Sequence, residues 1–284
     1  MWDSAAQARI DEALASATPG DYLAFDFDNT CIWQDIGESF MRALVRSGAL
    51  ATQAEVFWES WDAETADVSE AWTLAEAART GAPDAVDAWL ACVEHAYMTR
   101  CQVRGKADGY SWAVQLMAGM READVLAAAD AHIPEALALH HASIDAIRVH
   151  DELRQTIAQA HARGVEVWFV SASSWWIVQA GARLFGVEPQ RVLGNRVEVK
   201  DGALTAAVVP PHLVFEGKVE VLRAACDGRA PLLMFGDSMT DSDVMRWARF
   251  GGIIIDRGVE ALQELAAAQG WIVQPREALT RLES

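Results

Sequence analysis

Short apolar runs alternate with amphipathic stretches through the chain outside residues 32–147. The apolar runs have the length of buried strands, and they read YLAFDF (22–27), VEVWFV (165–170), PLLMFGD (231–237) and GGIIID (251–256). Helical spacing separates them in DELRQTIAQAHARG, which ends at Gly164, and in KVEVLRAACDG (218–228). This alternation predicts an α/β, Rossmann-like fold with a mostly parallel sheet and helices on both faces.

The alternation stops between Cys31 and about Arg148, where the pattern is helical throughout. In DAVDAWLACVEHAYM (84–98), for example, apolar side chains recur every three or four residues. A structureless loop of this length is implausible inside a compact domain. We therefore predict an all-helical domain over residues 32–147, inserted into a core that consists of residues 1–31 and 148–284.

Two local signals add elements to this scheme. Ser4 followed by Gln7 matches a capping box and predicts a helix before the turn at Pro19. Asp201-Gly202 lies between two alternating runs, which predicts a small β-hairpin.

Composition and charge narrow the function classes. The chain of 284 residues is 52% hydrophobic and 23% charged, as expected for a globular protein, and its formal net charge is −18. Nucleic acids and anionic membrane surfaces attract basic proteins, so neither is an expected partner. No stretch has the length and apolarity of a membrane span or a signal peptide, and we predict a cytoplasmic protein. The four cysteines lack the spacing of a metal site or redox pair.

Polar residues that suit catalysis follow the predicted strands. In a parallel sheet, ligands bind at the carboxyl ends of the strands. An aspartate after a strand is more often a turn former or a helix cap, and a single lysine is more often solvated. The occurrence of all these clusters in one order favours a functional site instead. The clusters are Asp26 with Asp28, Ser171, Lys218, and Asp237 with Asp241.

This order resembles the haloacid dehalogenase superfamily, which consists mainly of phosphatases. Its four motifs correspond to DFDNT (26–30), VSAS (170–173), EGKVEVL (216–222) and GDSMTDSDVM (236–245). The helical insert is similar in position to the C1 cap of that family. GNRVEVKDGALT (194–205) further resembles the phosphoserine phosphatase and phosphocholine phosphatase-like branch. Two positions depart from that branch: Asn29 replaces its usual serine, and SMTD replaces its usual GAND.

The resemblance implies roles for the acidic residues that their chemistry also allows. Asp26 would attack phosphorus and form an aspartyl-phosphate, which divides one difficult displacement into two easier ones. Asp28 would protonate the leaving oxygen and later activate water. A halide leaving group needs no proton, so Asp28 favours phosphoryl chemistry over dehalogenation. Asp26, Asp237 and the backbone carbonyl of Asp28 form an oxygen-rich site that suits Mg²⁺.

The remaining motif residues would bind phosphate or support the metal site. Lys218 would offset the charge of the phosphate and of Asp26. The Ser171 hydroxyl, the Ala172 backbone N–H and Asn29 would donate hydrogen bonds to phosphate oxygens. Asp241 would orient the water ligands of the metal or hold Lys218, and Thr30 would likewise support the site without binding the metal itself.

Residues of the insert are the candidates for substrate specificity. Asp35 lies nine positions after Asp26, where the phosphoserine phosphatase branch carries a glutamate that meets the substrate amine. Glu38 follows one helical turn later, and Trp33 precedes them. Carboxylates and aromatic faces suit an ammonium group, although tryptophans at helical spacing usually pack in a core and acidic residues usually face water.

A second anionic group on the substrate is the other option. Arg100, Arg104 and Lys106 lie in the same insert and are suited to bind a carboxylate.

The sequence therefore predicts a Mg²⁺-dependent phosphatase that hydrolyses a small-metabolite phosphomonoester through an aspartyl-phosphate. Phosphoserine, phosphocholine and phosphoethanolamine are the amine-bearing substrates that fit. One alternative is a phosphotransferase that acts on a sugar or nucleotide phosphate. The other is a catalytically silent protein that binds a phosphorylated metabolite.

Overall fold

The computed structural model describes residues 1–81 and 83–282. The strands are β1 (Tyr22–Phe25), β2 (Ile32–Trp33), β3 (Arg148–Val149), β4 (Glu166–Ser174), β5 (Val192–Asn195), β6 (Val197–Lys200), β7 (Ala203–Val208), β8 (Met234–Gly236), β9 (Gly252–Asp256) and β10 (Ile272–Pro275). The helices are α1 (Ser4–Ala15), α2 (Ile36–Ser47), α3 (Glu55–Trp58), α4 (Val68–Arg79), α5 (Pro83–Val103), α6 (Lys106–Gln115), α7 (Glu122–Ala138), α8 (Asp151–Ala162), α9 (Trp175–Ala182), α10 (Glu216–Ala225), α11 (Ser242–Trp247) and α12 (Glu260–Gln269).

A six-stranded sheet forms the centre of the core, in the order β10-β9-β8-β1-β4-β5. Every neighbouring pair in it is parallel. Phe25 of β1 is in register with Phe169 of β4 and with Phe235 of β8. The chain segments after these three strands therefore emerge at one edge of the sheet. The predicted α/β fold with a mostly parallel sheet is confirmed.

Both faces of this sheet are buried, which is why the strands read as continuous apolar runs. Leu23 and Phe25 point to one core cluster, which also contains Ile10 of α1. Tyr22 and Ala24 alternate with them and point to a second cluster on the other face. The sheet is thus a middle layer between two helical layers.

The first helix begins one residue earlier than its capping pattern suggests. Asp3, rather than Ser4, is the N-cap, and its carboxylate accepts a hydrogen bond from the Ala6 backbone N–H at 2.7 Å. Aspartate is at least as good a cap as serine, so the capping-box assignment to Ser4 and Gln7 was wrong while the helix itself is confirmed.

Residues 36–138 contain helices α2 to α7. The strands β2 and β3, which flank this segment, pair with each other in antiparallel fashion. Both boundaries placed from the sequence, after Cys31 and before Arg148, fall at this short pair. Tryptophans fill the interior of the insert: the rings of Trp61 and Trp89 stack at 5.5 Å, and Trp112 meets Trp61 edge-on at 5.1 Å.

The predicted hairpin is formed by β6 and β7, with Asp201 and Gly202 both at positive φ in the turn. Its tip contacts the insert through the backbone. Leu204 exchanges hydrogen bonds with Gly119 and Met120, at 2.8 and 2.9 Å. The hairpin is therefore a contact between the core and the insert.

In the described part of the chain, no helix combines the length and apolarity that crossing a membrane requires.

Candidate active site

The carboxylates that follow β1 lie in a cavity between the sheet edge and the insert. This cavity, called the active-site cavity below, has a volume of about 110 Å³ and is lined by Asp26, Asp28, Lys218 and Asp237 together with residues of α2 and α6. Asp26 and Asp28 are each only 7% exposed. The Asp26 backbone N–H donates to the Phe235 carbonyl at 2.8 Å, which ties the start of the motif to β8.

Lys218 links two of the aspartates at the base of the cavity. Its Nζ donates to Oδ1 of Asp26 at 2.8 Å and to Oδ1 of Asp241 at 2.7 Å, and the side chain is 1% exposed. Burial alone would lower the pKa of Lys218, but the carboxylates of Asp241 and Asp26 raise it above the usual lysine value. The ammonium group is therefore charged and lies beside the oxygen of Asp26.

Asp28 faces a different set of donors. Its Oδ1 accepts from the Ile36 backbone N–H at 2.6 Å, and its Oδ2 accepts from the Ser171 hydroxyl at 3.2 Å. Burial raises the pKa of Asp28, although the hydroxyls of Ser173 and Ser171 partly oppose this rise. A carboxyl group with a raised pKa can hold a proton for transfer, as a general acid must. The acid is also joined directly to the first residue of α2.

Three carboxylates form a group that could hold a metal ion. Asp26, Asp237 and Asp241 each offer an oxygen, and these oxygens lie within 4.8 Å of one another. Because the Asp28 carboxylate is turned to Ile36 and Ser171, any contribution of Asp28 would come from its backbone carbonyl. The predicted ligands Asp26 and Asp237 are thus together, and Asp241 joins them. From the sequence, Asp241 was predicted to support the site through the water ligands of the metal or through Lys218, whose Nζ lies 2.7 Å from its Oδ1.

Thr30 and Arg257 support the Asp237 carboxylate. The Thr30 hydroxyl lies 3.5 Å from Oδ1, and the Arg257 guanidinium donates to Oδ2 at 2.8 Å. Asp241 is held separately: the backbone N–H of Ser238 donates to its Oδ2 at 3.1 Å.

The carboxylates at the edge of the sheet carry more negative charge than the neighbouring cations can neutralise. Burial raises the pKa of Asp26 well above the usual aspartate value in spite of Lys218, and burial with the charge of Asp241 raises that of Asp237. The carboxylates outnumber the two cations, Lys218 and Arg257, that contact them. A hard divalent cation with oxygen ligands would remove this repulsion, so the donor set fits Mg²⁺.

Phosphate-binding candidates line the same cavity. Ser171 and Ala172, at the end of β4, and Asn29 are all among its walls. The Ala172 carbonyl accepts a hydrogen bond from Asn195 Nδ2 at 2.6 Å, which anchors the last residues of β4 to β5. Asn29 adopts a positive φ of 55° in the turn after β1, a conformation that asparagine tolerates well.

Of the specificity candidates, Asp35 and Glu38 line the cavity. Asp35 is the N-cap of α2, and its Oδ1 accepts from the Glu38 backbone N–H at 2.9 Å. Burial, followed by the charge of Asp28, raises the pKa of Asp35 well above its usual value. The cavity therefore has an acidic side on the insert, close to Asp28.

The structure places Trp33 outside the lining of the active-site cavity, so it does not bring this specificity candidate together with Asp35 and Glu38. The guanidinium carbons of Arg276 and Arg281 lie 3.8 and 3.3 Å from the centre of its ring, and His150 meets it edge-on. Gln34, which follows, has a φ of 76° and lies at a bend between Trp33 and Asp35. Trp33 is thus close to Asp35 in sequence, but only Asp35 lines the active-site cavity.

Of the three basic residues of the insert that could bind a substrate anion, two form ion pairs within the insert and one lines the cavity. Arg100 is buried and forms ion pairs with Asp62 and Asp108, while Arg104 pairs with Asp62 and Glu64. These two residues hold the insert together and are not available for a substrate anion. Lys106 does line the cavity.

Sequence reasoning missed other wall residues. Arg257 comes directly after β9, so the rule that sites follow parallel strands could have found it. Tyr97 and Tyr110 also line the cavity, but they lie within amphipathic helices and carry no separate signal.

Known structures share this architecture. A conserved protein of unknown function from Anaerococcus prevotii has a TM-score of 0.70 and 14% identity, with 97% of this chain and 95% of that chain covered. Cytosolic 5′-nucleotidase IIIB bound to cytidine has a TM-score of 0.52 and 16% identity, with 94% and 84% covered. Substrate-bound phosphoserine phosphatase has a TM-score of 0.50 and 17% identity, with 91% and 93% covered.

No protein of curated function has a matching sequence. The model of the haloacid dehalogenase-like hydrolases matches residues 23–246, a range that begins in β1 and includes the metal-site carboxylates as well as the whole insert. The expectations of that superfamily and of a hydrolase are therefore confirmed, and the chain belongs to the haloacid dehalogenase-like hydrolase family.

Proposed function

We propose that the protein is a Mg²⁺-dependent phosphatase that hydrolyses a small phosphomonoester through an aspartyl-phosphate on Asp26. The observation that carries this proposal is the buried ammonium of Lys218, held between Asp26 and Asp241 at 2.8 and 2.7 Å. It places a permanent positive charge beside the expected nucleophile, within a cluster of carboxylates that still needs a cation. Such an arrangement serves an anionic substrate that a carboxylate must approach.

The first step is the attack of an Asp26 carboxylate oxygen on phosphorus. Lys218 opposes the effect of burial on Asp26, which favours the ionised carboxylate, and offsets charge on the phosphate. As the bond from phosphorus to the leaving oxygen breaks, Asp28 donates its proton to that oxygen, so the product leaves as an alcohol. Ser171 and the Ala172 backbone N–H orient the phosphate. Bound between Asp26, Asp237 and the Asp28 carbonyl, Mg²⁺ would supply further charge neutralisation.

The second step uses the same groups in reverse order. Asp28, now ionised, takes a proton from water while the water oxygen attacks phosphorus. The bond between phosphorus and Asp26 breaks, phosphate leaves and Asp26 is regenerated. The ionised Asp28 is held in place by the Ile36 N–H and the Ser171 hydroxyl.

An amine on the leaving group is part of the proposal. Asp35 and Glu38 line the cavity on the side of the acid Asp28, where the leaving group must lie. An ammonium group beside them would favour the ionised carboxylates and would pair with them, as in phosphoserine, phosphoethanolamine or phosphocholine. Hydrolysis is preferred to transfer because the chain belongs to a family of hydrolases.

The test is phosphate release from a panel of esters with Mg²⁺ and with EDTA. The panel includes the three amine-bearing esters, sugar phosphates and nucleoside monophosphates. We expect Mg²⁺-dependent release that is fastest with an amine-bearing ester. Transfer of the phosphoryl group to an added sugar would indicate the phosphotransferase. Binding of an ester without release of phosphate would indicate a catalytically silent binding protein.

A further inference from the structure

Two helices contribute uncharged side chains to the lining of the active-site cavity. α2 contributes Phe40, Met41 and Leu44, whose spacing places them on one face of the helix. α6 contributes Ala113 and Val114. The proposed reaction uses none of these residues.

The apolar lining continues beyond the end of α6. Leu116 and Met117 also line the cavity and are at most 2% exposed. We use the name apolar chamber for the part of the cavity that is lined by Phe40, Met41, Leu44, Ala113, Val114, Leu116 and Met117.

The chamber lies on the side of the catalytic acid. Asp28 accepts a hydrogen bond from Ile36, the first residue of α2, at 2.6 Å. From Gly37 to Leu44, both of which line the cavity, α2 rises by about 10 Å at 1.5 Å per residue. α2 thus connects the acid with the chamber, which places the chamber within reach of a leaving group whose oxygen Asp28 protonates.

We propose that the leaving group of the substrate carries a short apolar portion that fills the apolar chamber. This inference rests on the proposed function, because it assigns the chamber to the leaving group of the phosphoester. An apolar cavity of about 150 Å³ accepts a benzene ring, and the cavity here measures about 110 Å³ including the place of the phosphate. The apolar portion is thus a chain of a few carbon atoms or a small branched group.

Binding measurements with alkylphosphonates test this without requiring turnover. These compounds present a phosphate-like group with an alkyl chain that cannot be hydrolysed. We expect the Kd, measured by calorimetry in Mg²⁺, to fall by about fourfold per methylene from methyl- to butylphosphonate and to level off when the chamber is full.

A matched pair of variants locates the effect. Ala113 lines the cavity, whereas Ala107 lies on the same helix and does not. Ala113→Leu narrows the chamber and is expected to abolish the gain with chain length while methylphosphonate binds as in the wild type. Ala107→Leu, which adds the same side chain elsewhere on α6, is expected to keep the gain. Val114→Ala enlarges the chamber and is expected to shift the best chain to a longer one, a result that misfolding cannot produce.

A Kd that is independent of chain length in the wild type overturns the inference, as does an equal effect of Ala113→Leu and Ala107→Leu. The proposed function is judged separately by phosphate release. If the chain-length series is flat while amine-bearing esters are hydrolysed, the phosphatase stands and the apolar leaving group does not. If the series falls as expected without any turnover, the chamber is confirmed as a ligand site and the catalytic proposal fails.

Discussion

Arg257 donates a hydrogen bond from Nη1 to Oδ2 of Asp237 at 2.8 Å. The Arg257 side chain is 41% exposed and the Asp237 side chain 5%. A partly exposed arginine thus fixes one oxygen of a buried carboxylate, and the other oxygen lies 3.5 Å from the Thr30 hydroxyl.

Arg257→Gln is expected to weaken Mg²⁺ binding by about tenfold or more, because groups that orient a metal ligand typically contribute that much. Arg257→Lys should lose less, since an ammonium group can still donate a hydrogen bond to Asp237. Calorimetric titration with Mg²⁺ measures both. Arg249→Gln is the control: Arg249 is 43% exposed and pairs with Asp21 at 2.9 Å, before β1 and so at the opposite end of that strand. Unchanged or tighter Mg²⁺ binding by Arg257→Gln would exclude the orienting role.

Asp26→Asn is expected to lower turnover by at least about 10⁴-fold, since it removes the proposed nucleophile. Circular dichroism should show an intact fold, because Lys218 retains Asp241 as a partner at 2.7 Å. Turnover within tenfold of the wild type would show that Asp26 is not the nucleophile.

Asp28→Asn separates the two proposed steps. A nitrophenyl leaving group needs no proton, so attack by Asp26 should still release about one equivalent of nitrophenol. Hydrolysis of the aspartyl-phosphate needs a base and should then be slow. Rapid mixing is expected to show a burst followed by a low steady rate. A uniformly slow reaction without a burst would mean that Asp28 acts mainly in the first step.

Asp35→Asn and Glu38→Gln test amine recognition. Each is expected to raise KM for phosphoethanolamine by about tenfold and to change KM for nitrophenyl phosphate little, because a hydrogen bond to a charged group contributes about 1.5–3 kcal/mol. Asparagine is also a good N-cap, so α2 should persist. Asp67→Asn, at the N-cap of α4, is the matched control. Equal KM changes for both esters would remove the ammonium from the proposal.

His150 should make stability depend on pH. Burial, with the charges of Arg276 and Arg281, lowers its pKa from 6.5 to about 4. Between these values the unfolded chain binds more protons, so the free energy of unfolding should fall by about 3 kcal/mol as the pH decreases from 6.5 to 4. His150→Phe should lose this part of the dependence, and His95→Phe, at an exposed position, should keep it. Urea denaturation at several pH values measures the difference, and parallel curves for wild type and His150→Phe would contradict the assignment.

The grouping of polar residues at one edge of the sheet could be predicted because it depends on where the strands end along the chain. Asp26, Ser171 and Asp237 each come just after an apolar run, and parallel strands bring such positions together. Trp33 could not be placed in this way, since its orientation depends on pairing with Arg148 across the insert. Arg100 looked available for a substrate because its partner Asp62 is distant in sequence.

The apolar wall of the cavity was beyond prediction for another reason. Val114 and Met117 follow the same helical spacing as residues that pack in a core, and both are almost fully buried. Residues of α2 and α6 line a cavity, rather than pack against each other, because of the distance between the two helices. That distance depends on the packing of the whole insert and cannot be derived from helical spacing.

The contact between the hairpin and the insert has a mechanical consequence. Leu204 is joined to residues 119 and 120 through both its backbone groups, and α10 begins eight residues after the end of β7. Any displacement of the insert from the core would therefore have to break these two hydrogen bonds or carry the hairpin with it. Because the same stretch of backbone continues into the helix that bears Lys218, a displaced hairpin would pull on the segment that holds the lysine beside Asp26.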